Sequence, residues 1–169
     1  MSFGEAIKSV FTKYATFSGR ARRSEFWYFV LFTFLAGIVA SFIPFINIIW
    51  PLAILLPSLA VSVRRLHDSG KSGWNMLVIL LPSLLYLGYI IYFIVGVVIP
   101  VVGTNFSDID ATTFTELLMD NMSALLVFAG LELLNFIVLI IWIVWMCKDS
   151  EPGENKWGPN PKAVNEPEF

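Results

Sequence analysis

The stretch from Phe26 to Val63, FWYFVLFTFLAGIVASFIPFINIIWPLAILLPSLAVSV, contains 38 residues without a charged side chain. At about 1.5 Å per residue, one helix of this length is much longer than a bilayer core of roughly 30 Å requires. Pro44 and Pro51 flank its middle, and proline disfavours helix continuation. The stretch therefore predicts a hairpin of two membrane spans, at residues 25–43 and 48–63.

Two further apolar runs predict a third span at residues 74–99 and a fourth at 124–146. Hydrophobic residues make up 57% of the chain and charged residues 14%, whereas soluble domains hold roughly 45–50% and about 25%. Lipid can solvate this apolar surface, which a soluble fold of this size could not bury. The sequence predicts an all-α membrane protein, a single four-transmembrane-helix bundle of residues 1–169 with an irregular tail at 147–169.

Residues 1–17 show helical patterning. Their apolar side chains recur at spacings of three and four, and a cleavable signal would instead place a basic stretch directly before an apolar run. The residues concerned are Phe3, Ala6, Ile7, Val10, Phe11, Tyr14 and Phe17. The pattern predicts an amphipathic helix that lies in the membrane interface. The alternative is a helix packed against the chain's own loops.

All basic side chains fall on one side of a four-span topology. They are Lys8, Lys13, Arg20, Arg22, Arg23, Arg64, Arg65, Lys71, Lys148, Lys156 and Lys162. Short loops rich in Lys and Arg face the cytoplasm, so we expect both termini there. The opposite side carries the loop 102–123, which is acidic, lacks basic residues and has a short helix predicted at 114–122.

Five arginines gather where span one begins and span two ends, because these ends are neighbours in a hairpin. They are Arg20, Arg22, Arg23, Arg64 and Arg65. Guanidinium groups bind phosphate and carboxylate through paired hydrogen bonds, so one hypothesis is a specific anionic ligand on this patch. The structural alternative is that the arginines set orientation, pair with Glu25 and Asp68 and touch anionic lipid headgroups.

The segment Arg64-Arg65-Leu66-His67-Asp68 lies in a predicted polar loop, residues 64–73. Adjacent His and Asp residues suggest a general base, but no nucleophile or set of metal ligands accompanies them. The structural interpretation is that Asp68 or Ser72 caps a helix and His67 forms a hydrogen bond within the loop. With one Cys and one His in the chain, we expect no intrachain disulfide and no metal site. Without a nucleophile beside His67 we also expect no enzymatic activity and no cofactor.

Glu132 lies inside span four, where an ionisable side chain is costly and is a functional hypothesis by default. Asn135 follows one turn later. Tyr89 and Tyr92 of span three lie at similar depth, so a tyrosine hydroxyl is the expected partner. The alternatives are a hydrogen bond that locks spans three and four together, or a later start of span four that brings Glu132 to the outer interface. The functional interpretation is proton or ion handling.

Three segments together resemble a known family. They are Phe17 to Trp27 (FSGRARRSEFW), Leu56 to Trp74 (LPSLAVSVRRLHDSGKSGW) and Gly153 to Pro161 (GENKWGPNP). Over nearly its whole length the chain resembles the bacterial inner-membrane family catalogued as domain of unknown function 805. The resemblance implies a small multi-span protein of the bacterial plasma membrane and implies no activity. The loop 102–123 departs from the family because it is longer than the usual connection.

All three segments fall on the predicted cytoplasmic side, so we expect one anion-binding patch there with the tail folded back over it. Its candidate residues are Arg20, Arg23, Arg64, Arg65, His67, Asp68, Trp74 and Asn155. We therefore expect a non-enzymatic membrane protein that binds anionic lipid headgroups or a partner protein.

One alternative function is a small oligomeric channel or transporter with Glu132 in its pathway. A second alternative is a membrane enzyme that acts on a phosphorylated lipid through His67 and Asp68. The expected partners are membrane lipids and either another copy of the chain or a membrane partner protein. No nucleic-acid partner is expected.

Overall fold

A computed structural model of the protein describes residues 1–99 and 111–162. Within these ranges the chain forms helices and turns and contains no β-strand. The residues cluster into two compact units, Met1–Met76 with Ile143–Phe169, and Leu77–Trp142. Every basic residue of the chain belongs to the first unit.

The described helices account for most of the chain. They are α1 (Phe3–Thr12), α2 (Arg23–Ser41), α3 (Ile46–Asp68), a 3-10 turn (Gly73–Met76), α4 (Leu77–Phe93) with a π-helical continuation (Ile94–Val98), α5 (Ala111–Asp120) and α6 (Met122–Cys147). Four helical stretches are long and apolar enough to cross a membrane, namely Arg23–Ser41, Ile46–Asp68, Gly73–Gly96 and Met122–Cys147. The predicted all-α membrane fold with four spans is therefore confirmed.

The amphipathic helix α1 begins with a capping box. The Ser2 hydroxyl accepts a hydrogen bond from the Glu5 amide at 3.4 Å, and the Glu5 carboxylate accepts one from the Ser2 amide at 2.8 Å. Ala6 and Val10 are buried. The ring of Phe11 lies 5.8 Å and 5.9 Å from two phenylalanine rings of α2. The helix therefore packs on α2, and its position in the membrane interface stays a prediction.

Tyr14 anchors the segment after α1 to α3. Pro57 has no backbone N–H to donate to the carbonyl of Ala53 four residues earlier. The Tyr14 hydroxyl donates a hydrogen bond to this Ala53 carbonyl. Because an unpaired backbone carbonyl in hydrocarbon costs several kcal/mol, the hydroxyl replaces the bond that the proline removes.

The structure corrects the predicted loop at residues 64–73, because α3 continues through Asp68. Its end is closed by two backbone bonds, from Gly70 N to the His67 carbonyl at 3.1 Å and from Lys71 N to the Leu66 carbonyl at 2.9 Å. Gly70 has a φ of +76°, which this type of helix end requires of the residue after the cap. The charged side chains at residues 64–68 indicated a solvated loop, but they are paired and buried.

Of the two residues predicted as helix caps, Ser72 is a cap and Asp68 is not. Ser72 starts the 3-10 turn, since its hydroxyl accepts from the Trp74 amide at 3.4 Å and its carbonyl accepts from the Asn75 amide at 3.0 Å. Asp68 lies within α3 and binds side chains instead of capping a helix.

Part of the acidic loop 102–123 falls outside the described residues, including Asp108 and Asp110. The helix α5, Ala111–Asp120, lies where the sequence predicted a short helix at 114–122. The location of this loop on the outer side of the membrane stays a prediction.

Candidate functional site: the arginine cluster

Asp68, in the last turn of α3, is the centre of a buried ion-pair cluster. Its Oδ1 lies 3.1 Å from Nε of Arg20, and its Oδ2 pairs with Nη1 of Arg65. The Ser150 hydroxyl also donates to Oδ2, at 2.6 Å, and the Glu151 amide donates to the Asp68 carbonyl at 2.8 Å. One carboxylate thus joins the α1–α2 linker, α3 and the C-terminal tail.

Arg20 binds the tail through backbone carbonyls. Its Nη2 donates to the Glu151 carbonyl at 2.6 Å, and its Nη1 donates to the carbonyls of Gly153 at 2.7 Å and Gly158 at 3.2 Å. Both glycines have a positive φ, +71° and +125°, which a side chain would oppose. The guanidinium therefore holds the tail in a fold that depends on these glycines.

Arg65 caps the end of α6. The last carbonyls of a helix have no partner within the helix. Nε of Arg65 donates to the Met146 carbonyl at 3.1 Å, and its Nη2 donates to the Lys148 carbonyl. A cation at this position also complements the negative end of the helix dipole. Through Arg65, the ends of α3 and α6 are fastened together.

Arg64 and Glu25 form a second buried ion pair. Nη1 of Arg64 lies 2.8 Å from Oε1 of Glu25, in the first turn of α2, and this oxygen also accepts from the Ser9 hydroxyl of α1 at 3.1 Å. Nε and Nη2 of Arg64 are buried without a hydrogen-bond partner among the described residues. We call Arg20, Glu25, Arg64, Arg65 and Asp68 the arginine cluster; it links α1, α2, α3, α6 and the tail.

The arginine cluster is not the open patch of five guanidinium groups that the sequence suggested. Arg20, Arg64 and Arg65 are 7%, 1% and 0% exposed. The physical reason is that carboxylate and carbonyl oxygens replace the water that each guanidinium loses on burial. The contacts correspond to the structural alternative, in which the arginines pair with Glu25 and Asp68.

His67 contributes to an aromatic groove beside the cluster. Its Nδ1 lies 3.1 Å from the Gly19 carbonyl, and its ring stacks on Trp157 with centroids 4.5 Å apart. Nδ2 of Asn155 donates to the His67 carbonyl at 3.0 Å. A groove of about 520 Å³ is lined by this stacked pair together with Phe17, Val63, Ser72, Gly73 and Trp74. Residues from all three segments that carry the family resemblance meet here.

A second groove surrounds Arg23, an exposed residue of the first unit. Its side chain is 44% exposed and pairs with Asp149 at 2.8 Å. The groove has a volume of about 360 Å³ and is lined by Arg23 together with Ser24, Trp27, Tyr28 and Cys147.

The Arg23 guanidinium is in contact with the carboxylate of Asp149 through one nitrogen, Nη2. The same carboxylate is also bonded to Lys162 at 2.8 Å. This bond and the charge of Arg23 hold the pKa of Asp149 below its usual range. Arg22, next along the linker, is half-buried, and its Nη2 donates to the Pro161 carbonyl at 2.7 Å. Among the described arginines, Arg23 is therefore the one open to solvent.

In the second unit, the tyrosine partner of Glu132 is Tyr86 rather than Tyr89 or Tyr92. The Tyr86 hydroxyl donates to Oε1 of Glu132. The Tyr89 hydroxyl donates instead to the Ala124 carbonyl at 2.6 Å. Because α6 begins at residue 122, the glutamate lies deep enough to meet the tyrosine one turn earlier in α4.

The other polar residues predicted near Glu132 have separate contacts. Asn135 donates through Nδ2 to the Leu131 carbonyl of its own helix at 3.0 Å. The ring of Tyr92 packs beside that of Tyr89, with centroids 5.6 Å apart.

Reasoning from the sequence missed Tyr14, Ser150 and the carbonyl partners of Arg20 and Arg65. The Tyr14 contact had a local signal, because Pro57 exposes the carbonyl four residues before it. The bonds from the two arginines to the tail and to α6 had none, since a backbone carbonyl carries no sequence signature.

Fold and site together define a multi-pass helical membrane protein whose C-terminal tail is bound to the ends of its spans by buried arginines. The chain belongs to the family described as "Protein of unknown function (DUF805)", whose model matches residues 14–159. The family assignment made from the three segments is therefore confirmed.

Two inner-membrane proteins of Escherichia coli (strain K12) are similar to this chain. YhaI is 37% identical over 93 residues, which cover 50% of this chain and 79% of YhaI. YhaH is 27% identical over 165 residues, which cover 90% of this chain and 93% of YhaH. No solved structure shows a significant match. The relatives and the four apolar helices support a multi-pass protein of the inner membrane.

Proposed function

We propose that this chain is a non-enzymatic inner-membrane protein with both termini in the cytoplasm, and that it binds the headgroup of an anionic phospholipid at Arg23. The observation that carries the proposal is the groove of about 360 Å³ lined by Arg23, Ser24, Trp27 and Tyr28. A guanidinium, a hydroxyl and two amphipathic rings meet there at the end of a membrane span.

The position of the groove supports a lipid as the ligand. Arg23 begins α2, and Trp27 and Tyr28 follow in the next turn, at the end of a helix long and apolar enough to cross a membrane. Tryptophan and tyrosine concentrate at the membrane surface because their rings are apolar and their N–H and O–H groups are polar. Each Arg or Lys near an anionic surface contributes about 1 kcal/mol of attraction. Asp149 and the Cys147 carbonyl already bond to Nη2 and Nη1 of Arg23, so a phosphate at Arg23 shares or displaces these bonds. The glycerol region then lies against the rings.

The geometry at His67 and Asp68 supports a non-enzymatic function. A general base must be free to reach a substrate proton. Asp68 is held between two guanidinium groups, and Nδ1 of His67 bonds to the Gly19 carbonyl instead of to this carboxylate. The two residues therefore do not form the His–Asp pair that the enzymatic alternative requires.

The distribution of Lys and Arg supports the cytoplasmic location of both termini. Every basic residue lies in the unit that contains residues 1–76 and 143–169, at or near the ends of its spans or in the segments outside them. Short loops of this composition are retained in the cytoplasm during insertion.

Native mass spectrometry of the protein, released from membranes containing equal amounts of phosphatidylglycerol and phosphatidylcholine, tests the lipid site. We expect bound phosphatidylglycerol to exceed phosphatidylcholine, and Arg23→Gln to reduce this preference about fivefold, as the loss of about 1 kcal/mol implies. Lys156→Gln is the matched control, because it removes the same charge from an exposed side chain that lies over Trp157, outside the Arg23 groove.

Three results would reject the Arg23 site. One is equal binding of the two lipids by the wild-type chain, and another is an unchanged preference in Arg23→Gln. Stoichiometric recovery of a protein instead of lipid at this groove would also reject it, in favour of a protein partner.

A further inference from the structure

The second unit carries an ionisable side chain that is exposed within a membrane span. Glu132 lies about 15 Å along α6 from Met122, at 1.5 Å per residue, and is exposed. Among the described residues, only Tyr86 forms a hydrogen bond with its carboxyl group, and this bond uses one of the two oxygens. No hydrogen bond from the part of the chain that the structure describes reaches the second oxygen.

The exposed neighbours of Glu132 on α6 are apolar. Phe136, one turn further along α6, is 59% exposed, and the neighbouring Leu133 is 61% exposed. No residue of α4, the helix that carries Tyr86, is buried. Lipid chains cannot donate or accept a hydrogen bond, and an ionisable group in hydrocarbon costs several kcal/mol. A polar partner must therefore meet Glu132 when the chain is in the membrane.

We propose that Glu132 lies in an interface between two copies of this chain, where each copy supplies the hydrogen-bond partner of the other. A protonated carboxyl group both donates and accepts, so it is complementary to a second copy of itself. Two-fold symmetry brings identical groups together and closes the assembly at two subunits. The Tyr86 hydroxyl fixes the orientation of the carboxyl group by bonding to the other oxygen.

A second copy is a suitable partner because two-fold symmetry about an axis along the membrane normal presents an identical carboxyl group at the same depth.

Single-molecule photobleaching of the full-length chain in liposomes, over a series of protein-to-lipid ratios, measures the self-association. We expect a monomer–dimer equilibrium in the wild type that Glu132→Leu weakens three- to thirtyfold, from about 0.6–2 kcal/mol per interhelical hydrogen bond. Glu132→Gln should stay within about threefold of the wild type, since an amide also donates and accepts. Tyr89→Phe is the control, because its hydroxyl bonds to Ala124 of the same chain.

Cysteine trapping provides a second measurement that does not depend on a change at Glu132. In a Cys147→Ala background, Phe136→Cys should give a disulfide-linked dimer in membranes, whereas Leu134→Cys, on a different face of α6, should not. The proposal is overturned by monomers at every protein-to-lipid ratio, by unchanged association of Glu132→Leu, or by equal trapping at the two positions. A bridge from position 136 to a cysteine placed in α2 of the same chain would assign the partner to the first unit instead.

Discussion

Asp68→Asn should destabilise the folded protein by about 3–5 kcal/mol, because it leaves two buried guanidinium groups without their shared carboxylate. Arg20 and Arg65 would keep only carbonyl partners, and their mutual repulsion would no longer be offset. The tail and the end of α6 should loosen together, since both are held through these two arginines. For a chain of this size, the melting temperature in nanodiscs should fall by at least about 6 °C.

The control for this prediction is Asp149→Asn. Asp149 also pairs with two cations, Arg23 and Lys162, but its side chain is 66% exposed. Exposed pairs contribute little because water and salt screen them, so the melting temperature should stay close to that of the wild type. Equal effects of the two substitutions would mean that the Asp68 pairs are solvated and not buried.

The Glu25–Arg64 pair predicts a double-mutant cycle in which two damaging changes compensate. Glu25→Leu leaves a buried guanidinium unpaired, and Arg64→Met leaves a buried carboxylate unpaired, so each should cost about 3–5 kcal/mol. The double variant should recover most of this loss, since an apolar pair of similar size requires no desolvation. The recovery should be nearly complete because two nitrogens of Arg64 already lack partners among the described residues.

Thermal unfolding of the four proteins in the same nanodiscs measures the coupling energy, which should exceed about 2 kcal/mol in favour of the double variant. Limited proteolysis at Lys8 and Lys13 reports on α1, because Ser9 bonds to Glu25 and should release when the carboxylate is removed. If the double variant is as unstable as the sum of the singles, Glu25 and Arg64 do not interact in the folded protein.

The four spans were predictable because the decisive signal, an apolar run of sufficient length, is local to each helix. The same holds for α1, whose apolar residues recur at helical spacing and whose capping box involves neighbouring residues. The family could also be recognised, because its three segments are contiguous in sequence. These features need no knowledge of which helices touch.

The burial of the arginines could not be predicted from the local sequence, because a pair such as Arg64-Arg65 ordinarily indicates side chains that are exposed to solvent. Arg65 can be buried because it donates hydrogen bonds to backbone oxygens such as the Met146 carbonyl, and Arg20 because it donates to oxygens such as the Gly158 carbonyl. These oxygens are distant in sequence and exist in every residue, so only the fold identifies them. The same limit explains why Tyr86, and not Tyr89, proved to be the partner of Glu132.

The arginines near the ends of the first two spans therefore have two different roles. Arg20, Arg64 and Arg65 are buried and hold the helix ends and the tail together, whereas Arg23 is exposed beside aromatic side chains. The first role follows from the contacts, and the second is the proposed lipid site.

Labelling with a membrane-impermeant arginine reagent, such as a sulfonated phenylglyoxal, tests this division most directly. Mass spectrometry measures the extent of modification at each of the five arginines of the chain after treatment of inside-out and right-side-out membrane vesicles. We predict rapid modification of Arg23 in inside-out vesicles only, and protection of Arg20, Arg64 and Arg65 from both sides. Uniform modification of the five arginines would contradict their burial, and modification of Arg23 in right-side-out vesicles would contradict the proposed orientation.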